Sequence, residues 1–567
     1  MKRLLIILLG AAVCFTSCER DLAEQFKDPS KVDPPTGNLF AGMFTGMVYE
    51  WKLYVKDYGE YWWENDGNTL SNYAQINHRY ITSRYAWYSD YGDLVNENGF
   101  YSTDNGAMSH FNAHYTRMKE WAIMRDGIEQ LTGSAKDEVQ VFFQLATVMK
   151  DVWALRCVDL FNKIPYFDAM KGNQGVLYPK YDDPKEIYIS VLNDFKDIAA
   201  TLKDNYNKMS ADGKSLFVKQ DIALKGNVDQ WVQYVNALRL QYAIKLAGVD
   251  EATAKPHIAE ALGNLPTSDL AFPTYTTDNG GGGGTWLRGV YERSFVHFMP
   301  DLLMRNMNFA DSSYNEGGVD DPRLPVLIMP TKYGDYRSVS MNADSNAKYY
   351  NAGDTYYTAA DNIDAALSMN GKSEYSIVTF AMNAPNFPAV MITLAEVDLL
   401  KAEVAIKGYA TTDKTAADYI KDAVVHSCNF WYNINDLNRT FRPDKPALHP
   451  VKSTSDIETY SNKVRTKFVA QTGVENQMEV LMQQKYIHLN ISNQYELFAE
   501  LRRTRHPLLD PFVFNGVVMK PCPERIKYPS TELQTNQEEF LKVGADNNYT
   551  TPIFWVPAAK KGVSYYR

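Results

Sequence analysis

Two stretches of the chain crowd aromatic rings among amides, carboxylates and guanidinium groups. In "YGEYWWENDGNTLSNYAQINHRYITSRYAWYSDYGD" (58–93), Trp62, Trp63, Tyr85 and Trp87 lie near Asn65, Asp66, Asn68 and Arg84. In "TYTTDNGGGGGTWLRGVYER" (274–293), Trp286, Arg288 and Tyr291 follow Tyr275, Asp278, Asn279 and an unbroken glycine run. Such mixtures suit non-covalent recognition of a ligand with a flat apolar face and a hydroxylated rim. Rings stack on the face, and polar side chains bind the rim. Trp62 and Trp63 cannot both face one ligand from a single strand or helix, because neighbours on either element point apart. The glycine run lets backbone approach a ligand closely, and it makes the loop costly to order. A large apolar ring behind such a run is expected at a surface. A third, sparser cluster is "YGDYRSVSMNADSNAKYYNAGDTYY" (333–357).

Signals for catalysis are missing by comparison. The chain has no G-x-S-x-G, phosphate-loop or H-E-x-x-H motif. Paired carboxylates could serve glycoside hydrolysis. With 68 acidic residues such pairs arise anywhere, so they carry no signal. His110 and His114 stand four apart, as two metal ligands on a helix would. Without a third ligand in view a structural or exposed role is the reading, and no metal or other cofactor is expected. "DNIDAAL" (361–367) lacks the full calcium-loop pattern.

The bulk numbers agree with a binding protein. The 567 residues carry a net charge of −10 and no basic run, which argues against a nucleic-acid partner. Tyrosine is abundant, with 38 copies, and its amphipathic ring favours binding surfaces. Five cysteines include Cys14 and Cys18 near the start. The remaining Cys157, Cys428 and Cys522 are too scattered for a disulfide framework or zinc site. Cys157 and Cys428 fall in helical patterns and read as buried filler.

The N-terminus, "MKRLLIILLGAAVCFTSC", has a basic start, a short apolar run, then Thr16 and Ser17 before Cys18. The run is too short to span a bilayer and reads as a signal peptide over 1–17. The small residues before Cys18 resemble a bacterial lipobox, which implies cleavage before Cys18 and acylation of its thiol. Residues 18–38, polar and rich in Pro and Asp, read as a tether.

Helical periodicity supplies the scaffold that must position the aromatic stretches. It predicts helices over 137–161, 183–204 with Asp183 as N-cap and Pro184 first, 229–248, 393–408 and 475–504. The 393–408 helix and the "TDKTAADYIKDAVVHSCNFW" that follows form a pair of roughly tetratricopeptide size, ~34 residues. Trp121, Trp153 and Trp231 sit in helical patterns and are assigned to the core. Residues 262–390 differ: they are rich in Gly, Asn, Asp, Tyr and Pro, and loops are expected to dominate there. The predicted fold class is mostly α, a helical scaffold carrying large irregular aromatic-rich loops.

Several segments, in order, resemble the SusD/RagB family of nutrient-binding outer-membrane lipoproteins of Bacteroidetes, closest to its SusD-like subgroup. They are "RCVDLFNKIPYFDA" (156–169), "WVQYVNALRLQYAIKLAG", "DDPRLPV" (320–326), "LAEVDLLKAEVAIKG", "QKYIHLNISNQYELFAELRRTRHP" (484–507) with its double arginine, and "IFWVP". The resemblance covers essentially the whole chain. It implies a single domain over 39–567 with four tetratricopeptide-like helix pairs and a loop-rich insertion at about 262–390. It implies a cell-surface, lipid-anchored protein; Glu19 and Asp21 after Cys18 are similar to surface-export signals in these bacteria. It further implies a non-catalytic role: binding an oligosaccharide and delivering it to a SusC-like TonB-dependent transporter. Some members are linked to peptides instead. A lipid-anchored glycan hydrolase is the third reading weighed.

Overall fold

The computed structural model describes residues 37–56, 95–96, 99–100, 104–273, 299–308, 314–315, 321–330, 336–338, 373, 375–376, 389–439, 448–511, 513–514, 517–518 and 522–566. Helices dominate them. The N-terminal group comprises α1 (Gly37–Lys56), α2 (Asp104–Ile128), α3 (Gly133–Asp137), α4 (Gln140–Phe161), α5 (Pro184–Lys208), α6 (Ala211–Gln220), α7 (Val228–Ala247) and α8 (Glu251–Ala261). Two short helices follow, α9 (Asp301–Asn308) and α10 (Leu324–Leu327). The C-terminal group comprises α11 (Leu394–Lys407), α12 (Ala416–Leu437), α13 (Thr454–Val469), α14 (Val474–Leu489) and α15 (Gln494–Thr504). No described helix is long and apolar enough to cross a membrane.

Local chemistry sets the boundaries. Asp183 accepts hydrogen bonds from the backbone N–H groups of Lys185 (2.9 Å) and Glu186 (3.1 Å), and Pro184 opens α5, as expected. Helix α11 starts with a reciprocal capping box between Thr393 and Glu396. It ends at Gly408, whose φ of 64° is the left-handed conformation glycine adopts without strain. The expected long helix over 475–504 is instead two helices. Asn490 leaves helical geometry with φ 40°, a single 3-10 turn follows, and Asn493 caps α15 through Glu496 N–H. Asn and Ser side chains compete for backbone bonds, and here "NISN" prevails over the apolar periodicity on either side.

Packing is largely between sequential neighbours. Helices α2, α4, α5, α7 and α8 pack in succession, as do α11 to α15, and α7 against α11 joins the two groups. Trp231 is fully buried, and its indole N–H donates to Asp221 at 2.8 Å. Trp153 is buried too, while Trp121 is half-buried and stacks on Phe143. Cys157, Cys428 and Cys522 are all buried free thiols.

The described strands form two-stranded antiparallel ladders only: β1 (Val95–Asn96) with β2 (Gly99–Phe100), β3 (Leu270–Ala271) with β6 (Val390–Ile392), β4 (Tyr314–Asn315) with β5 (Tyr336–Arg337), and β7 (Val513–Phe514) with β8 (Val517–Val518).

Candidate ligand-binding site

The loop-rich stretch enters and leaves the helical body at one place. Strand β3 pairs with β6 in the register Leu270↔Ile392 and Ala271↔Val390. Phe272 N–H then donates to Ala389 C=O at 2.9 Å, and Asp269 receives Leu394 N–H at 2.7 Å. A chain excursion of more than a hundred residues is thereby stapled shut at its base. Strand β6 also touches α1, the helix that directly precedes the other aromatic stretch. The supports of the two stretches are therefore neighbours.

Further in, the excursion is pinned again. Met299 N–H donates to Ser373 C=O and Ser376 N–H to Leu327 C=O. The "DDPRLPV" segment is fixed by a fully buried pair, in which Arg323 contacts Asp321 at 2.6 Å. The same guanidinium reaches Ser427 on α12 and Gln484 on α14. Such roots give loops the rigid frame that a binding site needs.

The sequence-predicted contacts Trp62, Trp63, Asn65, Asp66, Asn68, Arg84, Tyr85, Trp87, Trp286, Arg288 and Tyr291 lie outside the described residues, as does Cys18. Within the sparser third cluster, Tyr336 is described. It packs half-buried against the core, and burial pushes its phenol up to about 12. That ring is a structural one.

Beneath the staple is a cavity that sequence reasoning did not find. It offers about 80 Å³ to the centres of water molecules. Strand β6 forms one wall through Val390, Met391 and Ile392. Helix α4 contributes Arg156 and Asp159, and α7 contributes Gln241, Tyr242 and Lys245. Glu396 of α11, His488 of α14, and Asn493, Tyr495 and Glu496 at the start of α15 complete it. The only sequence-level trace of this site is polar residues interrupting otherwise apolar helices.

Its inner wall belongs to a chain of buried ion pairs. Lys245 contacts Asp159 at 3.0 Å and Glu496 at 2.9 Å. Lys485 contacts Glu496 at 3.1 Å and Glu500 at 3.6 Å. Arg503 then joins Glu500 at 2.5 Å and Glu403 through paired bonds of 2.6 and 2.8 Å. Asp159 also accepts from the Trp555 indole at 2.7 Å, so "IFWVP" closes onto α4. Burial alone would raise Glu496, but Lys245 and Lys485 outweigh it and hold the carboxyl far below its ordinary value. The chain alternates four carboxylates with three cations, and every carboxylate in it contacts at least one cation.

Glu396 behaves differently. Burial pushes its carboxyl up to about 7, against the opposing pull of its bonds from Thr393 N–H and hydroxyl, both 2.9 Å. A carboxyl raised above its unfolded value of 4.5 stabilises the native state fully below that value. The contribution is lost as pH rises towards 7. Glu396→Gln keeps an acceptor for the capping box without the charge. It is expected to gain ~1 kcal/mol over wild type at pH 8 and nothing at pH 4, read by thermal melts at both. Equal differences at both pH values would refute the assignment.

His110 and His114 are both buried, in keeping with a structural role. The Tyr495 hydroxyl meets His110 Nδ1, and the His114 ring packs 4.7 Å from Tyr115. Desolvation lowers both to about 3, so both are neutral. Among the described residues no group of three His, Cys, Asp or Glu could hold a metal ion.

A family model described as "SusD-like_2: Starch-binding associating with outer membrane" matches residues 63–529. Solved structures with the same fold include a chitin-binding protein (20% identity, TM-score 0.63, covering 90% of this chain and 99% of that one). A SusD homolog from Parabacteroides distasonis matches at 17% identity and TM-score 0.62, covering 92% and 98%. A SusD/RagB family protein from Bacteroides thetaiotaomicron does so at 17% and 0.62, covering 91% and 98%. Separately, a 79-residue stretch is 32% identical to the small ribosomal subunit protein uS8 of Rickettsia massiliae. It occupies 14% of this chain and spans 58% of that relative, too little to define a family.

Proposed function

Because the chain belongs to the SusD-like family, and is thus a non-catalytic, nutrient-binding outer-membrane protein, we propose that it captures oligosaccharides and delivers them to a SusC-like TonB-dependent transporter. The observation that carries this reading is the match over 63–529, which takes in the first aromatic stretch from Trp63 onward and the whole of the second. The family description names starch, and one structural neighbour is called chitin-binding; both are glycans. Trp62, Trp63, Tyr85, Trp87, Trp286 and Tyr291 stack on sugar faces. Asn65, Asp66, Asn68, Arg84 and Arg288 bind hydroxyls.

The rest of the organisation follows the same reading. Residues 1–17 are a signal peptide, and Cys18 carries the lipid at the head of a tether over 18–38. One domain over 39–567 presents the insertion at about 262–390 from a scaffold of tetratricopeptide-like helix pairs. Pairs such as α11–α12 and α13–α14 support this. The body is held at the outer cell surface beside its transporter.

Titration calorimetry of the purified protein against panels of oligosaccharides and peptides tests the ligand class. Heat from at least one oligosaccharide and none from peptides is expected. Binding of peptides alone, with no glycan bound at millimolar concentration, would replace the glycan reading by the peptide one. Product analysis of the bound glycan is expected to return it intact, and any cleavage would overturn the non-catalytic role.

A further inference from the structure

The two roots of the loop excursion are joined by one buried run of side chains. Arg323, which pins the segment before α10, donates through Nη1 to Ser427 Oγ of α12 at 3.1 Å. Ser427 Oγ meets His488 Nδ1 of α14 at 2.9 Å. His488 Nε2 meets Thr393 Oγ1 at 2.7 Å, and Thr393 directly follows strand β6 of the staple. Thr393 Oγ1 reaches Glu396 Oε2 at 2.9 Å. Arg323, Ser427, His488 and Thr393 are all buried.

The direction of this run is fixed by its first member. A guanidinium only donates, so Ser427 Oγ must accept from Arg323. Burial, with the charge of Arg323 adding to it, lowers the His488 imidazole to about 3, so the ring carries a single proton. Were that proton on Nδ1, Ser427 would accept twice and its own hydroxyl proton would have no acceptor among the described residues. Thr393 would also have to turn its one hydroxyl proton from Glu396 to His488. With the proton on Nε2 every group is satisfied. Ser427 accepts from Arg323 and donates to Nδ1. Nε2–H donates to Thr393 Oγ1, which also accepts from Glu396 N–H at 3.1 Å and donates to Glu396 Oε2. Each bond in such a run polarises the next, and removing one link strands a buried neighbour.

We propose that His488, held as the Nε2–H tautomer, is a positioning residue for the binding loops: the one-way relay from Arg323 through Ser427, His488 and Thr393 to Glu396 couples the two roots of the excursion, so that they hold or loosen together. The coupling comes from the geometry alone; that it bears on ligand capture rests on the glycan reading above. Packing of the His488 ring edge-on to Phe430 and Trp431 is a separate contribution, which a phenyl ring would keep.

Two measurements on the full chain test this. Nitrogen NMR of the labelled imidazoles, with His488 assigned by its loss in His488→Phe, should find the ring protonated at Nε2; protonation at Nδ1 overturns the relay. Amide hydrogen exchange then reads the two roots. Phe272 N–H, bonded to Ala389 C=O, reports the staple, and Ser376 N–H, bonded to Leu327 C=O, reports the segment held by Arg323. Ser427→Ala removes the middle of the relay without touching Thr393. It is expected to speed exchange at both roots by about fivefold, the scale of one buried hydrogen bond, and to leave Ile187 N–H in α5 unchanged. His488→Phe should do the same, and the double variant should add nothing further. His488→Gln, which offers one donor and one acceptor, should retain most of the wild-type protection. Unchanged exchange at Phe272 in Ser427→Ala, or effects of the two variants that simply add, would overturn the coupling. In calorimetry Ser427→Ala should also weaken oligosaccharide binding severalfold. Coupled exchange with unchanged affinity would leave the relay standing and overturn only its bearing on capture.

Discussion

Arg503→Ala is expected to destabilise the protein by about 3–5 kcal/mol, the scale of removing one partner from a buried charge pair. Arg503 is almost wholly buried, and it satisfies both Glu403 and Glu500. Truncation leaves two carboxylates in the interior, with only Lys485 at 3.6 Å to answer Glu500. Replacing Arg503 and Glu403 together by leucine should recover part of the loss, since the uncompensated charge is what hurts. The effect is also pH-dependent. Burial would raise the Glu500 carboxyl, but Arg503 and Lys485 overcome it and hold it below the ordinary value. A depressed carboxylate contributes stability above its unfolded value, and that contribution is lost as pH falls through the folded one. The difference between wild type and Arg503→Ala should therefore be largest at neutral pH and narrow below about pH 4. Urea titrations at the two pH values measure it; a loss under 1 kcal/mol at pH 7 would show that the network does not hold the helices together.

Trp286→Ala is expected to weaken oligosaccharide binding by ~1–3 kcal/mol, or about 5- to 150-fold in Kd, the loss of one aromatic anchor. The melting temperature should stay at the wild-type value, because Trp286 follows a glycine run rather than lying in a helical pattern. Trp62, Trp63 and Trp87 offer the comparison: single alanine variants rank the rings by their share of the contact. Calorimetry with the tightest glycan from the panel is the measurement. Unchanged affinity for Trp286→Ala would remove that residue from the site and place its role at the transporter or in folding.

The segments that carried the family resemblance acquire a physical meaning from the fold. "RCVDLFNKIPYFDA" supplies Asp159, and "IFWVP" supplies the Trp555 indole bound to it. "DDPRLPV" supplies the buried Asp321–Arg323 pair, and the double arginine supplies Arg502 and Arg503. Each places polar groups in an apolar interior, and each has at least one partner far away in the chain; Arg323, besides the local Asp321, reaches Ser427 and Gln484. Arg502, for example, donates to the backbone carbonyls of Asp159 and Glu524. A helical apolar stripe tolerates many substitutions. A buried charge tolerates few, because its loss strands a partner.

Helices α4, α5, α7 and α11 were legible from the sequence because their signals are local. Apolar spacing, the Asp183 cap, the Thr393–Glu396 box and the glycine at 408 all act within one or two turns. The split of 475–504 into α14 and α15 was not read, although Asn490 and Asn493 carry it. Capping propensity there competes with periodicity, and only packing decides between them. The aromatic stretches were legible as composition only, and they lie outside the described residues. Their common support was not, because β3 and β6 are two- and three-residue strands more than a hundred positions apart. The cavity was wholly hidden: Arg156, Gln241, Glu396 and Asn493 share no local pattern and meet only when four helices pack. The sequence by itself determined the family and most of the helical elements, because those rest on short-range order. The tertiary structure alone decided which polar residues became buried partners and which came to line a cavity, because those roles depend on contacts across hundreds of residues.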